Sequence, residues 1–380
     1  MESPGLYIHV PFCRQKCLYC DFFSAGSNIA DWEMYSKAVV NELKWRISEF
    51  PSPPSTIYIG GGTPSLLPET ALREIVEGIR SVFGAGLTPK EFTIEINPED
   101  VTEEKALIWG EAGITRVSLG IQSFNNKELQ RIGRRHSAER GKEAYNILRS
   151  RFSNVSIDLM FGLPLQTMES WRETLREALL LNPTHLSAYS LMLEEKTPLT
   201  ILNAKGRLEI PDDVMNENMW KELSEMVKGG DYVQYEISNY ARRGFESIHN
   251  SKYWQQVPYV GLGPSAHSYD GRNKRRFNPW RLNEYVSYFS DESKEKNMRY
   301  EPFYEEETLS EEELMEEFIL TRLRMKEGID VEEYTRRFGA EAAERLKRNA
   351  ENLSAGGGIE YEGKKIRLTA KGIMISDDLM

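Results

Sequence analysis

The sequence has little cysteine, little histidine and no long hydrophobic run. Only three of its 380 residues are cysteine and five are histidine. No apolar segment reaches the roughly 18–20 residues that a membrane-spanning helix needs. The first four residues, MESP, lack the basic and apolar regions of a signal peptide. We therefore expect a cytoplasmic protein, with peripheral contact to a membrane-bound partner as its closest approach to a bilayer.

An excess of positive charge is also missing. The chain has 48 Lys and Arg against 59 Asp and Glu, which gives a net charge of -11. This balance argues against nucleic acid as a partner, because a phosphate backbone is normally bound by a basic face. One short basic run stands out at Arg272, Lys274, Arg275 and Arg276. It is either a solvated loop or a site for ligand carboxylates.

The first half of the chain alternates strand-like and helix-like segments. Strand-like runs lie at residues 6–10, 56–59, 92–96, 116–121, 155–161 and 185–192. Helical spacing occurs at residues 32–47, 70–82, 103–111, 138–149 and 168–181. Six strands separated by helices predict an α/β fold with parallel strands. Periodicity alone fits a doubly wound sheet or an incomplete (β/α) barrel, and both gather ligands at the carboxyl ends of the strands.

The pattern changes after about residue 195. A helix is predicted at 214–226, and an aromatic stretch rich in Gly and Pro covers 232–269. Helices at 311–323 and 331–349 precede a hairpin at 359–368 that turns at Gly363. We therefore predict three parts: the first domain over 1–195, an extension over 196–300 that packs on it, and a small α+β, winged-helix-like domain over 301–380.

All three cysteines lie within eight residues, in the spacing Cys13-x3-Cys17-x2-Cys20. An odd number of clustered thiols does not suit a disulfide framework. Three thiolates on one loop can hold three irons of a [4Fe–4S] cluster and leave the fourth open to a small chelating ligand. A zinc site with a distant fourth ligand and a group of reactive thiols are the alternatives. Zinc suits the spacing less well, because structural zinc usually takes two pairs of ligands.

The cysteine spacing, with Tyr19 before the last cysteine, resembles the radical S-adenosylmethionine (SAM) superfamily. The longer string YIHVPFC at residues 7–13 is similar to the oxygen-independent coproporphyrinogen III oxidase group, which includes the HemW heme chaperones. The resemblance covers nearly the whole chain. It implies a partial (β/α)6 radical SAM barrel, with a [4Fe–4S] cluster on Cys13, Cys17 and Cys20 and SAM as cofactors. It also associates the 196–300 extension with heme or substrate.

Consecutive glycines at 60–62 follow the second strand and let backbone approach a ligand closely. This segment resembles the family motif for the amino group of SAM. In chemical terms Arg134 can pair with the SAM carboxylate, and Glu95 or Asp158 can accept from its ammonium or ribose hydroxyls. The resemblance implies SAM contacts at Tyr7, Tyr19, Gly61, Gly62, Thr63, Glu95, Gln122, Arg134 and Asp158.

Two features separate the members of this group. The oxidases carry a further cysteine two residues after the triad, and here that position is Phe22. The segment HNSKYW at 249–254 matches the HNxxYW pattern of the heme chaperones. Since imidazole is a common ligand of heme iron, we predict that His249 binds heme. The plainer alternative is a structural histidine among aromatic residues.

These observations favour a heme chaperone that carries heme, the cluster and SAM, and delivers heme to a respiratory hemoprotein. Its expected partners are heme, this acceptor and a low-potential electron donor such as flavodoxin or ferredoxin, with a homodimer as a further expectation. The alternative is a radical SAM coproporphyrinogen III dehydrogenase, which decarboxylates propionates in porphyrin biosynthesis. We assign no catalytic residue and leave open whether the chain is an enzyme. A zinc-binding structural protein is the third hypothesis.

Overall fold

The computed structural model describes residues 2–27, 31–290 and 302–374. Its strands are β1 (Gly5–Val10), β2 (Phe12–Cys13), β3 (Ala25–Gly26), β4 (Thr56–Gly61), β5 (Glu91–Ile96), β6 (Arg116–Gln122), β7 (Asn154–Phe161), β8 (His185–Ser190), β9 (Tyr232–Glu236), β10 (Asn239–Arg242), β11 (Tyr259–Leu262), β12 (His267–Tyr269), β13 (Lys274–Phe277), β14 (Glu305–Thr308), β15 (Ile329–Asp330), β16 (Ile359–Glu362) and β17 (Lys365–Leu368).

The α-helices over the same ranges are α1 (Trp32–Trp45), α2 (Glu69–Phe83), α3 (Glu103–Glu111), α4 (Asn126–Arg131), α5 (Ala138–Arg149), α6 (Met168–Leu181), α7 (Pro198–Ala204), α8 (Asp213–Lys228), α9 (Ile248–Trp254), α10 (Leu282–Phe289), α11 (Glu311–Arg324), α12 (Val331–Ala355) and α13 (Ala370–Met374). Within the ranges that the structure describes, none of these helices has the length and apolar character needed to cross a lipid bilayer.

Six parallel strands form the centre of one twelve-stranded sheet: β1, β4, β5, β6, β7 and β8. They lie side by side in the order in which they occur along the chain, so each strand is added to the same edge of the growing sheet. A doubly wound sheet reverses this order at a switch point, whereas sequential right-handed crossovers put the helices on one face, as in a (β/α) barrel. The predicted α/β class is confirmed, and the strand order selects the partial barrel over the doubly wound sheet.

The predicted extension contributes strands to both sides of this sheet. Antiparallel β10 and β9 follow β8, while β11, β12 and β13 continue outward from β1. Strand β14, which pairs with β13, comes from the part of the chain predicted as the C-terminal domain. The sheet is open, with β9 and β14 at its edges. The aromatic stretch at 232–269 gave no strand pattern because its strands have only three to five residues. The predicted division into three parts stays a prediction, and its boundary at 300/301 lies outside the described residues.

The core is built by the parallel strands and the helices that cover them. Leu6, Ile8 and Val10 of β1 are all fully buried. Parallel strands read as nearly continuous hydrophobic runs because both of their faces are covered, which is why the pattern revealed them. Buried polar side chains occur at both ends of these strands: Thr56, Glu91 and Arg116 are the first residues of β4, β5 and β6.

The C-terminal part has a hydrophobic core of its own. Helices α11 and α12 pack with a three-stranded sheet in the order β15-β17-β16. Phe318, Tyr334 and Ile366 are among its buried residues. The predicted hairpin is confirmed, with Gly363 at φ +61° in its turn. The long helix α12 contains a break in helical geometry at Gly339, which the sequence pattern did not predict.

Candidate functional site

The three cysteines lie on the loop that follows β1. Cys13 ends the short strand β2, which pairs in parallel with β3, and Cys17 and Cys20 lie on either side of a turn at residues 18–19. The amide of Leu18 donates to the carbonyl of Ile132 at 3.1 Å, which ties the loop to the end of α4. All three thiols are free and partly buried. They line one cavity of about 420 Å³ together with the carboxyl ends of β4 to β8, and we call it the cluster cavity.

Two of these sulfurs accept hydrogen bonds from side chains. Thr63 Oγ1 donates to Cys13 Sγ at 3.3 Å, and Arg134 Nη1 donates to Cys17 Sγ at 3.7 Å. Burial raises the pKa of the Cys13 thiol, and it raises the pKa of Cys20 to about 11. These thiols are therefore protonated at neutral pH, and a bound cation would be needed to draw off their protons.

The three thiols line the same cavity, but they are not close enough together to bind one metal ion as they stand. Among the residues that the structure describes, no three His, Cys, Asp or Glu side chains converge closely enough to hold a metal ion. The donor type and the shared cavity nonetheless fit an iron–sulfur cluster, since three thiol side chains from one short loop face one space.

The glycine segment at the end of β4 brings backbone close to this loop. A Cβ atom on Gly62 would lie 2.9 Å from the carbonyl oxygens of Val10 and Phe12, so only glycine fits without displacing the chain that leads to Cys13. Gly61 has φ +108°, and its amide donates to Glu95 Oε2 at 3.1 Å. The segment thus connects the cysteine loop to the carboxylate on β5.

Glu95 is the central carboxylate of the cavity. Tyr58 donates its hydroxyl to Glu95 Oε1 at 2.8 Å. Burial raises the pKa of Glu95 to about 7, and the negative charge of Asp158 adds to the rise, while the hydrogen bonds from Tyr58 and Gly61 oppose it. A carboxyl group that titrates near neutrality can accept from an amine and can also hold a proton.

Asp158 on β7 lies beside serine hydroxyls. Ser118 Oγ donates to its carboxylate at 3.0 Å and Ser156 Oγ at 3.3 Å. Burial raises the pKa of Asp158, and the hydrogen bond from Ser187 opposes the rise. At the end of the neighbouring strand β6, Gln122 has a left-handed φ of +70°. The register between β6 and β7 shifts at this residue. A strained residue at a strand end is typical of a binding site.

Arg134 follows α4 and reaches into the same cavity. Its Nη2 donates to Asn97 Oδ1 at 2.9 Å and to the carbonyl of Gly120. Its buried Nε has no hydrogen-bond partner among the described residues. Nearby Tyr19, Cys17 and Glu99 raise the pKa of the guanidinium despite its burial, so it keeps its charge. Such a group can pair with a ligand carboxylate.

The structure brings together most of the predicted SAM-contacting residues. Those that line the cluster cavity with the three cysteines are Tyr19, Gly61, Gly62, Thr63, Glu95, Gln122, Arg134 and Asp158. Tyr7 is the exception, because it lines a different cavity and its hydroxyl hydrogen-bonds to His9 Nδ1 at 3.1 Å.

Sequence reasoning missed several residues of this cavity. They are Tyr58, Asn97, Arg116, Ser118, Ser187 and Tyr189. Strand register explains two of them, since Ser118 pairs with Glu95 and Ser187 pairs with Asp158 in neighbouring strands. The signal was therefore the pairing of strands, which the amino-acid pattern does not supply.

The predicted heme ligand, His249, does not line the cluster cavity or the cavity that contains Tyr7. It is buried at the start of α9, where its Nδ1 hydrogen-bonds to Thr56 Oγ1 at 2.8 Å and its Nε2 to the hydroxyl of Tyr253 at 2.8 Å. Its ring stacks on Tyr58 with 5.1 Å between the centroids. Burial lowers its pKa to about 3. In this structure both ring nitrogens of His249 are already engaged.

The second cavity adjoins the first and is strongly aromatic. We call it the aromatic cleft; its volume is about 540 Å³, and its lining includes Tyr7, Phe22, Tyr253, Trp254, Tyr259 and His267. Phe22 is 63% exposed and lines both cavities. The side chain that stands in place of an additional cysteine is therefore part of the wall between the cluster cavity and the aromatic cleft.

The chain is similar to known proteins over nearly its whole length. The family model of the radical SAM superfamily matches residues 7–178, and that of the HemN C-terminal domain matches residues 309–375. The chain is 34% identical to the heme chaperone HemW of Bacillus subtilis (strain 168), over 98% of this chain and 97% of that protein. It is 36% identical to the heme chaperone HemW of Escherichia coli (strain K12), over 69% of each.

Among solved structures, the coproporphyrinogen III oxidase HemN from Escherichia coli, described as a radical SAM enzyme, superimposes with a TM-score of 0.80. The match covers 100% of this chain and 89% of that chain at 22% sequence identity. At this identity the match establishes a shared fold, which extends through the barrel, the extension and the C-terminal part.

Proposed function

This chain belongs to the radical SAM superfamily, in the family of the heme chaperones HemW, and we propose on that premise that it binds heme and delivers it to a hemoprotein. One observation carries the proposal. A cavity lined by three cysteines and by polar strand ends adjoins an aromatic cleft, and the two share Phe22 as a wall. A porphyrin needs flat apolar surfaces, and the second cavity offers them beside the first.

The cluster cavity is the proposed site of the [4Fe–4S] cluster and SAM. Cys13, Cys17 and Cys20 would hold the cluster, which when bound supplies low-potential electron transfer. Arg134, with its free Nε, is the proposed partner of the SAM carboxylate. Glu95 is the proposed acceptor for the SAM amino group, and Asp158 with its serines the acceptor for ribose hydroxyls.

His249 remains a predicted heme ligand. To bind iron it would have to release Thr56 or Tyr253 and leave the ring stack on Tyr58. Breaking one such hydrogen bond in a buried site leaves a polar group unsatisfied, which costs about 1–3 kcal/mol. Heme binding through His249 thus requires the ring to give up one of these contacts.

Delivery requires partners beyond this chain. A respiratory hemoprotein is the proposed acceptor, and a flavodoxin or ferredoxin the proposed electron donor for the cluster. A cytoplasmic location, docking at a membrane-bound acceptor and a homodimer belong to the same proposal.

The test begins with anaerobic reconstitution of the cluster in the full chain. Hemin is then titrated into the cluster-loaded protein and followed by its Soret absorption, while a parallel sample is assayed for loss of carbon dioxide from coproporphyrinogen III. Stoichiometric heme binding without decarboxylation is the expected result. Turnover of coproporphyrinogen with consumption of SAM would instead identify a dehydrogenase, and iron-free protein that holds zinc would identify a structural site.

A further inference from the structure

A third cavity lies between the extension and the C-terminal part, and we call it the α8 cavity. Helix α8 and strands β9 and β10 line one side of it, and the end of α11, β17 and α13 line the other. Backbone hydrogen bonds join the two parts beside it, from Ile237 to Arg324 and from Lys326 to Tyr235, both at 3.0 Å. Its volume of about 350 Å³ falls within the range of about 300–1,000 Å³ that is usual for small-molecule sites.

Two buried hydroxyl groups line this cavity without partners. Ser224 on α8 is 8% exposed and Tyr240 on β10 is 1% exposed. The two side chains lie near each other, but neither hydroxyl has a hydrogen-bond partner among the described residues. Burial raises the pKa of Tyr240, so its hydroxyl stays protonated and can donate. Buried donors without acceptors are costly, so they indicate a ligand that supplies acceptor oxygens.

The donors on α8 form a row along one face of the helix. Trp220, Ser224 and Lys228 are spaced four residues apart, which places them on the same face one turn after another. Trp220 Nε1 is buried and also lacks a partner among the described residues. Lys228 is exposed, so its ammonium group lies at the mouth of the cavity. Such a row of donors, with one positive charge, suits a carboxylate.

Glu236 on β9 supplies an acceptor of the opposite charge. Its side chain is 1% exposed, and its Oε1 accepts from the amide of Ser238 at 2.8 Å and from the side chain of Asn239. Its Oε2 accepts no hydrogen bond from the described residues, although Arg324 Nη2 is 3.5 Å away. The guanidinium of Arg324 lies over the ring of Trp254, 4.5 Å from the ring centroid. Glu236 Oε2 is therefore open to a donor on a ligand, and an ammonium group is the donor that its charge favours.

The remaining wall of the cavity is apolar. Val227 on α8, Leu323 at the end of α11, Leu368 on β17 and Ile373 on α13 contribute to it. A matching ligand therefore carries a carboxylate, an ammonium group and an apolar body. A fatty acid would leave Glu236 unmatched, and an alkylamine would leave the hydroxyl donors unmatched.

Independently of the function proposed above, we propose that the α8 cavity binds a free α-amino acid with an apolar side chain. Tyr240 and Ser224 bind its carboxylate, and Glu236 binds its ammonium group. Its side chain packs on Leu368 and Ile373. Because the ligand touches the extension and the C-terminal part together, its binding stabilises their association.

The test measures binding of L-leucine to the full, cluster-loaded chain by calorimetry, with SAM present to fill the cluster cavity. We expect wild type to bind leucine, and Tyr240→Phe and Glu236→Gln to bind it at least about tenfold more weakly. N-acetyl-leucine, which has no ammonium group, and isoamylamine, which has no carboxylate, should both bind weakly to wild type. Tyr145→Phe is the matched control, because the Tyr145 hydroxyl is also buried without a partner among the described residues but does not line this cavity. It should bind leucine like wild type.

The other outcomes would overturn the assignment. Wild-type protein that binds neither L-leucine nor L-phenylalanine would do so, as would N-acetyl-leucine that binds as tightly as leucine. Unchanged affinity in both Tyr240→Phe and Glu236→Gln would place the amino acid elsewhere. The iron content of each variant reports its folding, and Ser224→Ala is the further variant if Glu236→Gln does not fold, because the Ser224 hydroxyl has no partner to lose among the described residues. Heme binding is measured separately, so failure of this proposal leaves the proposed function standing.

Discussion

His249 should behave as a buried, neutral histidine, and its titration can be predicted in magnitude. The ring is 1% exposed, and burial lowers its pKa to about 3, with the positive charges of Lys252 and Arg116 adding to the fall. In the unfolded chain the same side chain would have a pKa of about 6.5. Below that pH the unfolded state binds a proton that the folded state does not, so the stability contributed by neutral His249 is lost as the pH falls from 6.5 toward 3.

The size of this effect follows from the two pKa values. Between about pH 7.5 and pH 5 the proton taken up by the unfolded state costs the folded protein about 2 kcal/mol for this residue alone. His249→Gln cannot take up that proton. Its deficit in unfolding free energy relative to wild type should therefore be about 2 kcal/mol smaller at pH 5 than at pH 7.5.

Two assays measure this. Urea unfolding followed by tryptophan fluorescence gives the free energies for wild type and variant at both pH values. With five histidines in the chain, NMR of histidine ring carbons can follow His249 directly. The exposed His267→Gln is the matched control, for which a smaller change is expected. A His249 resonance that titrates near the ordinary value of about 6.5 would mean that the ring is not held neutral by burial.

Three further predictions concern the buried carboxylate of Glu42, the glycine beside the cysteine loop, and the arginine proposed to bind the SAM carboxylate. Glu42→Gln should lower the unfolding free energy by about 3 kcal/mol in urea, because its buried carboxylate pairs with Arg46 and accepts the amide of Gly263 at 2.9 Å. Gly62→Ala should lower the iron bound per chain after reconstitution, whereas Gly86→Ala, where a Cβ meets nothing within 4 Å, should not. Arg134→Gln should weaken SAM binding about 10–100-fold by calorimetry, and the exposed Arg135→Gln should leave it unchanged.

Full stability of Glu42→Gln would mean that the buried pair does not secure the turn before β12. Unchanged iron in Gly62→Ala would show that the loop tolerates displacement, and unchanged SAM affinity in Arg134→Gln would place the carboxylate elsewhere.

The sequence supported the barrel because its central strands are long and buried. The run at 92–96 falls within β5, and the helix at 103–111 matches α3 to the residue. The short strands β9 to β13 were not predicted, because three to five residues are too few to show the alternation of apolar and polar residues that marks a strand. Their partners also lie far away in sequence, as in the pairing of Tyr7 with Gly261 across β1 and β11.

Some residues of the candidate site could be predicted from local sequence, and others depend on residues far away in the chain. Three cysteines on one loop and the polar strand ends are local signals, and they converge on one cavity. The environment of His249 is not local, because its Nδ1 partner Thr56 is 193 residues away. The neighbourhood of Tyr7 likewise depends on β11 and α9. That both ring nitrogens of His249 are engaged could therefore be read only from the folded chain.

Delivery of heme by this chain can be measured as transfer to an acceptor protein. Cluster-loaded protein is saturated with hemin, freed of excess, and mixed with a heme-free respiratory cytochrome while the Soret band is recorded. The spectrum should change to that of the acceptor, and the chain should be left without heme. Heme that never binds, or that stays on the chain in the presence of a competent acceptor, would contradict the proposed delivery.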